Sequence, residues 1–292
     1  MASLKEIKNR IASVKNTLKI TSAMKLVASA KLHKAQQSID GMLPYSQKME
    51  EILNNLISSG IKLNSSLIKT REKKRIAIVA ISSSTSLCGG FNNNIIRLTE
   101  ETIADYIHSG IDSIVLYPIG RKIENAFVAR NDIEVDNSYM LLADKPNYNE
   151  IKKFAKILIK RFVDGDFDHI ELLYTHYKNM AIQVLMRNTY LPMEFCNSKE
   201  DEKVNNTLLS DYIVEPSPEE LLNELLPQVL YIKLCATIFD NNAAEHAART
   251  FAMQQASDNA DSLLQELSLM HNKVRQQAIT NELLDIIGGS LK

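Results

Sequence analysis

Residues Arg75–Asn94 read RIAIVAISSSTSLCGGFNNN. The opening run is β-branched and apolar, as in a strand buried on both faces. A small polar loop with the adjacent pair Gly89–Gly90 follows, then a helix start. Strand, glycine loop and helix are the parts of a phosphate-binding loop in their usual order. The residues argue against that use. A Walker loop needs GxxxxGK followed by Ser or Thr, and no lysine lies in reach of Gly90. A dinucleotide fingerprint needs GxGxxG, and only one adjacent Gly pair is present. The Ser82–Ser86 hydroxyls could meet an anion at a helix N-terminus. A strand-to-helix turn whose hydroxyls cap the helix explains them more simply and is preferred. Cys88 has no histidine near it in sequence to act as base for a nucleophile.

Outward from this stretch, Ile114–Ile119 and Ile170–Tyr177 are further short β-branched runs. Helical stretches near 93–108, 121–130 and 147–163 separate them. Alternating strands and helices imply an α/β layer with a partly parallel sheet. Residues 196–211, polar and acidic, read as an exposed connection.

The two ends are of another kind. Leu4, Ile7, Ile11, Val14 and Leu18, then Ala28, Leu32, Ala35, Ile39 and Met42, recur at alternate steps of three and four, the period of a coiled-coil seam. Thr21 and Lys25 are the polar exceptions in that frame. Pro44 disturbs the helix, and a weaker pattern runs on to about Ile57. Near the other end, Met253, Ala256, Ala260, Leu263, Leu267, Met270 and Val274 repeat the alternation. Pro216 and Pro218 followed by Glu219 and Glu220 mark that helix's start; Gly288 and Gly289 mark its stop. A helix of ~70 residues would be roughly 105 Å long, with a kink at Pro227 in its first third. The expected architecture is therefore an antiparallel coiled coil of the N- and C-terminal helices with a Rossmann-like α/β domain inserted. The limits are 1–70 for the first helix, 71–204 for the α/β domain and 205–292 for the last helix.

Composition narrows function. The chain has 292 residues, 45% apolar and 24% charged, with a net charge of −1. No global charge asks for nucleic acid or membrane. Residues 1–34 nonetheless carry eight Lys/Arg against Glu6 alone, and residues 194–224 carry nine Asp/Glu against two lysines. Cys88, Cys196 and Cys235 form no CxxC, which suits a reducing compartment. Six scattered histidines suggest no metal site. No unbroken apolar run is long enough for a membrane span.

Several stretches together resemble the gamma subunit of F-type ATP synthase: Ile11–Leu32 (IASVKNTLKITSAMKLVASAKL), Ala243–Leu264 (AAEHAARTFAMQQASDNADSLL), Ile279–Ser290 (ITNELLDIIGGS) and the turn Leu87–Gly90. The resemblance covers the whole chain. Two departures stand out. Ser84, Thr85 and Ser86 replace the family's Asp-Arg-Gly, which removes any ionic contact of that Arg. Ser290 replaces an Ala, small for small.

The resemblance implies a non-catalytic rotor shaft without cofactors. Its coiled coil stands inside a ring of three alpha and three beta subunits, and its α/β foot sits against the epsilon subunit and the membrane ring of c subunits. It implies that Met24 and Lys25, and Arg275, Gln276 and Thr280, meet beta subunits, with Arg249 and Glu282 as further coupling positions. The loop of Leu87, Cys88, Gly89 and Gly90 would face the lower end of a beta subunit. Leu283, Leu284, Ile286 and Ile287 leave the C-terminal tip apolar all round, which calls for a surrounding sleeve. Lys25 also falls on the seam frame and fits a register-setting polar residue. Without a presequence or a regulatory insert, the expected location is the cytoplasmic face of a bacterial inner membrane. An α/β enzyme with a helical arm would need an acid/base cluster or phosphate loop, and neither is visible. A coiled-coil nucleic-acid binder would need interleaved aromatics, and residues 1–40 have none.

Overall fold

The computed structural model describes residues 3–58, 66–111, 113–130, 132–144, 146–193 and 217–290. The acidic stretch 196–211, Cys196 and Pro216 lie outside the described residues. The chain falls into two compact units, Met1–Ala30 with Arg249–Lys292, and Lys31–Ala248. Its elements, in order, are α1 (Leu4–Ser58), β1 (Arg75–Ile81), α2 (Phe91–His108), β2 (Ser113–Ile119), α3 (Arg121–Phe127) and β3 (Glu134–Val135). A 3-10 turn (Asn137–Ala143), α4 (Tyr148–Val163), β4 (His169–Tyr177), β5 (Gln183–Leu191) and α5 (Pro218–Ser290) complete the chain.

Both long helices begin with the same device. The Ser3 hydroxyl accepts from Glu6 N–H at 3.2 Å, and the Ser217 hydroxyl accepts from Glu220 N–H at 3.2 Å, with Pro218 at the first helical position. Helix α1 continues through Pro44 and α5 through Pro227. The expected stop at Gly288–Gly289 is corrected, since α5 is helical to Ser290.

In the first unit the α1 frame holds. Leu4, Ile7, Ile11, Val14, Leu18, Thr21, Lys25 and Ala28 are all buried or half-buried, while most positions between them are exposed. The α5 frame needs correction. Its inward positions are Met253, Ser257, Ala260, Leu264, Leu267, His271 and Val274. Leu263 and Met270 are 44% and 50% exposed. A step of three then four, or four then three, keeps the same mean period. Apolar character favoured Ala256, Leu263 and Met270 at each fork, but the partner helix sets the phase.

The second unit is built on a five-stranded sheet of order β3-β2-β1-β4-β5, parallel except for β5. The side chains of β1 alternate across it. Ala77, Val79 and Ile81 join the core with Phe154, Leu158, Leu226, Leu230 and the α1 residues Met49 and Leu53. Ile76, Ile78 and Ala80 join α2 and α3 through Ile95, Ile103, Ile123 and Phe127. The result is a three-layer α/β sandwich, as expected, with β3 and β5 as additions. Helix α5 includes a stretch long and apolar enough to cross a membrane, but half of it is buried inside the protein. That apolarity is used in packing: Val229, Leu230, Ile232, Leu234, Cys235 and Ile238 are all core residues.

Candidate functional site

In a doubly wound sheet, ligands bind in the crevice beyond the strand ends where the order reverses. Here that point is the end of β1, between β2 and β4, and the loop 82–90 leaves from it. Most of its polar groups are already engaged, the buried Ser84 hydroxyl excepted. Ser83 N–H donates to Asn92 Oδ1 at 3.0 Å, and Asn92 Nδ2 reaches Ser83 Oγ and the Thr85 carbonyl, both at 3.2 Å. Thr85 N–H donates to Ser83 Oγ at 3.2 Å. The crevice is also filled: Cys88 and Phe91 pack against Ala244 and Ala248 of α5, with Tyr177 beside them.

The expected cap differs in its target. Gly90 is the N-cap of α2 and carries no side-chain cap. The Ser82 hydroxyl instead accepts from Ile123 N–H at 3.1 Å, in the first turn of α3. Leu87 and Gly89 adopt φ of 68° and 60°, so the tight turn draws its left-handed residues from both. Leu87 projects to the outside, whereas Cys88 is buried.

Three consecutive residues of α5 tie it to the α/β domain, two to β4 and one to the 3-10 turn, and the sequence reading missed them. Asp240 Oδ1 accepts from Tyr177 N–H at 3.0 Å, and its Oδ2 lies 2.7 Å from His176 Nδ1. Asn241 Oδ1 accepts from Thr175 N–H at 3.0 Å, and Asn242 Nδ2 donates to the Ala143 carbonyl at 3.2 Å. Their only sequence signal is a polar triplet in an otherwise apolar stretch.

A buried ionic cluster was missed as well. Glu171 takes His169 Nε2 at 3.2 Å on one oxygen and Arg187 Nε at 3.0 Å on the other. The guanidinium also reaches Asp105 at 3.0 Å and lies over the Tyr106 ring. Burial raises the Glu171 pKa, but His169, Tyr106 and the Arg187 charge outweigh it and hold the carboxyl at about 2. The period of two places His169 and Glu171 on one face of β4; Arg187 comes from the unforeseen β5. Among the described residues no group of His, Cys, Asp or Glu could hold a metal ion.

In the helix pair, Met24 and Lys25 are half-buried, and Arg249 is 8% exposed. Arg275, Gln276, Thr280 and Glu282 are exposed, with the Thr280 hydroxyl returned to the Gln276 carbonyl at 2.9 Å. Leu283, Leu284, Ile286 and Ile287 are all exposed apolar side chains. Helix geometry thus does not gather these residues into one pocket; it distributes them along a shaft.

A protein-family model described as ATP synthase matches residues 3–291. The chain is 52% identical to an ATP synthase gamma chain of Phocaeicola vulgatus over 291 residues, all of both chains. This chain belongs to the ATP synthase gamma-chain family. Gamma chains of Parabacteroides distasonis (46% identical, 99% of each chain) and Flavobacterium psychrophilum (40%, 99% and 98%) are similar along the same length. Among solved structures, the fold resembles a chain of the Euglena gracilis mitochondrial ATP synthase OSCP/F1/c-ring assembly. That match has a TM-score of 0.64 at 18% identity over 98% of this chain and 92% of that one. A chain from the central stalk/c-ring structure of the Tetrahymena thermophila enzyme matches with TM-score 0.56 at 21% identity, covering 82% and 99%. The gamma-chain family thus accounts for both parts of the architecture, helix pair and α/β domain.

Proposed function

We propose that this chain is the central rotor shaft of an F-type ATP synthase, carrying torque between a membrane c-ring and a catalytic alpha/beta ring, and performing no catalysis itself. The observation that carries this reading is the α5 tip: nine consecutive exposed positions, 279–287, with apolar side chains pointing in every direction. Such a surface needs a low-friction apolar sleeve rather than a directional binding site. The sheet-end crevice supports the non-catalytic part, because α5 occupies the place where a nucleotide would lie.

In this reading Met24 and Lys25, half-buried on the lysine-rich helix α1, pass an acidic element of beta. Arg275 and Gln276 just below the tip, and Thr280 and Glu282 within it, offer exposed polar groups for transient contacts. Arg249 contributes to coupling from inside the chain. Leu87 is the outward member of the Leu87–Gly90 foot loop and touches the lower end of a beta subunit. Epsilon and the c-ring sit against the foot. On the same reading residues 1–70 carry the first helix, 71–204 the foot and 205–292 the last helix, and the chain works on the cytoplasmic face of a bacterial inner membrane.

Coexpression with alpha, beta and epsilon subunits tests this. One copy per three alpha–beta pairs, with ATPase lost when the chain is omitted, is the expected outcome. A free chain that never joins the ring would refute it.

A further inference from the structure

We propose that Asp240, Asn241 and Asn242 are positioning residues that lock α5 to the foot sheet and prevent the helix from turning or sliding against it. The inference rests on the rotor reading and names where torque enters the helix.

Strand β4 outruns its neighbour. Its pairing with β1 ends at Leu173, opposite Ala80, while its pairing with β5 continues to Tyr177. Past Leu173 the β1-side edge of β4 has no strand partner, and its amides need acceptors. Asn241 supplies one to Thr175 and Asp240 supplies one to Tyr177, each at 3.0 Å. Side-chain oxygens of a helix thus continue the ladder that β1 leaves unfinished. The Asp240 bond is charge-assisted and is held from its other oxygen by His176 at 2.7 Å.

Geometry explains why three adjacent residues are used. Successive helix residues point about 100° apart around the axis. Asp240, Asn241 and Asn242 therefore grip in different directions, the third reaching the carbonyl of Ala143, the last residue of the 3-10 turn. Bonds on one side of a helix act as a pivot; bonds fanned around it resist rotation. The neighbouring α5 surface cannot do this. Ala243, Ala244, Ala247 and Ala248 face α1 and the sheet-end loop with single methyl groups, which allow close approach but little interlocking. Further up α5, Lys233 donates to the Thr189 carbonyl at 3.1 Å and the Leu230 carbonyl accepts from the Tyr190 hydroxyl at 2.9 Å, both partners lying on β5. The triplet adds directional bonds to β4 and to the 3-10 turn.

The test uses the whole membrane-bound complex carrying Asp240→Ala with Asn241→Ala, and compares ATP hydrolysis with ATP-driven proton pumping in the same vesicles. Hydrolysis near the unsubstituted rate with a several-fold fall in protons pumped per ATP is expected, because the shaft turns while the foot slips. Asp240→Asn and Asn241→Asp keep the acceptor oxygens and should restore most of the ratio, a rescue that a general loss of stability would not follow. If the double variant does not assemble, Asn241→Ala alone is read by the same ratio. An unchanged ratio in an assembled alanine variant would overturn the joint while leaving the rotor intact. Pumping by unsubstituted complexes that persists when this chain is left out would instead overturn the rotor reading.

Discussion

Thr21 Oγ1 and Ser257 Oγ lie 2.8 Å apart in the seam between α1 and α5, with the two residues 8% and 7% exposed. The helices run antiparallel, so this pair fixes their register. Counting outward one for one, Leu18 meets Ala260, Val14 meets Leu264, Ile11 meets Leu267, Ile7 meets His271 and Leu4 meets Val274. Every one of these is a buried or half-buried position. Past Val274 no described α1 residue lies opposite α5, which is why the tip is exposed on all sides.

Each hydroxyl of the pair has a second partner on its own helix, Thr21 with the Leu18 carbonyl at 3.1 Å and Ser257 with the Met253 carbonyl at 2.9 Å. Losing one hydroxyl therefore leaves the other satisfied. Ser257→Ala is expected to cost no more than about 1 kcal/mol in denaturant unfolding. Thr21→Asp, which buries a carboxylate with only the half-buried Lys25 one turn away to offset it, is expected to cost more than the Ser257 change.

At the apolar tip the effect should be the reverse of a core mutation. Leu284→Ser with Ile286→Ser removes exposed surface groups only, so stability should change by less than about 0.5 kcal/mol. Self-association of the isolated chain should fall. Sedimentation at several concentrations reads this. A large loss of stability would mean that the tip packs within the chain.

Acid should weaken the α/β domain through Glu171. Its folded pKa lies below the ordinary value of 4.5, at about 2. The stabilisation is therefore present above the unfolded pKa and is lost as pH falls from 4.5 towards 2, with a total on the order of 3 kcal/mol. Unfolding measured across that window should show the loss. Glu171→Gln should flatten the slope and lower stability at neutral pH, because Arg187 loses its buried partner. An unchanged slope in the variant would contradict the assignment.

Two glycines should respond oppositely to alanine. At Gly120, φ is 104° and an added Cβ would sit 2.6 Å from the Ser82 carbonyl oxygen. Gly120→Ala should cost about 2 kcal/mol or more, since both the backbone and a rigid neighbour object. Gly41 lies within α1 with nothing within 4 Å of the added atom. Gly41→Ala should stabilise by about 0.5–1 kcal/mol. Thermal unfolding of the pair checks both signs.

What the sequence could show follows from the physics of each element. The α1 seam was legible because its apolar residues keep one phase, with Thr21 and Lys25 visible as interruptions. The α5 seam was legible in period but not in phase, since Ser257 and His271 stand where apolar residues were sought. Strands β1, β2 and β4 were legible as buried β-branched runs. Strand β5, QVLMRNTYL, is a half-buried edge that mixes Arg187 and Asn188 into its faces, so its pattern is blurred. The Asp240–Asn242 joint showed only as a polar triplet, and the Glu171 cluster only as His169 and Glu171 sharing a strand face, without their partners. Their bonds join residues far apart in the chain, and polar side chains facing backbone amides leave no periodicity. The proposed coupling residues came from family resemblance alone; Arg275, Gln276, Thr280 and Glu282 are exposed, Met24 and Lys25 half-buried, and Arg249 buried.

The most direct test of the shaft is to watch it turn. A probe attached through Ser109→Cys, on the exposed end of α2, would be followed on single complexes whose alpha–beta ring is fixed to a surface and supplied with ATP. Stepwise rotation in one direction, stopping when ATP is withdrawn, is the predicted result. Continued ATP hydrolysis with a stationary probe would contradict the account.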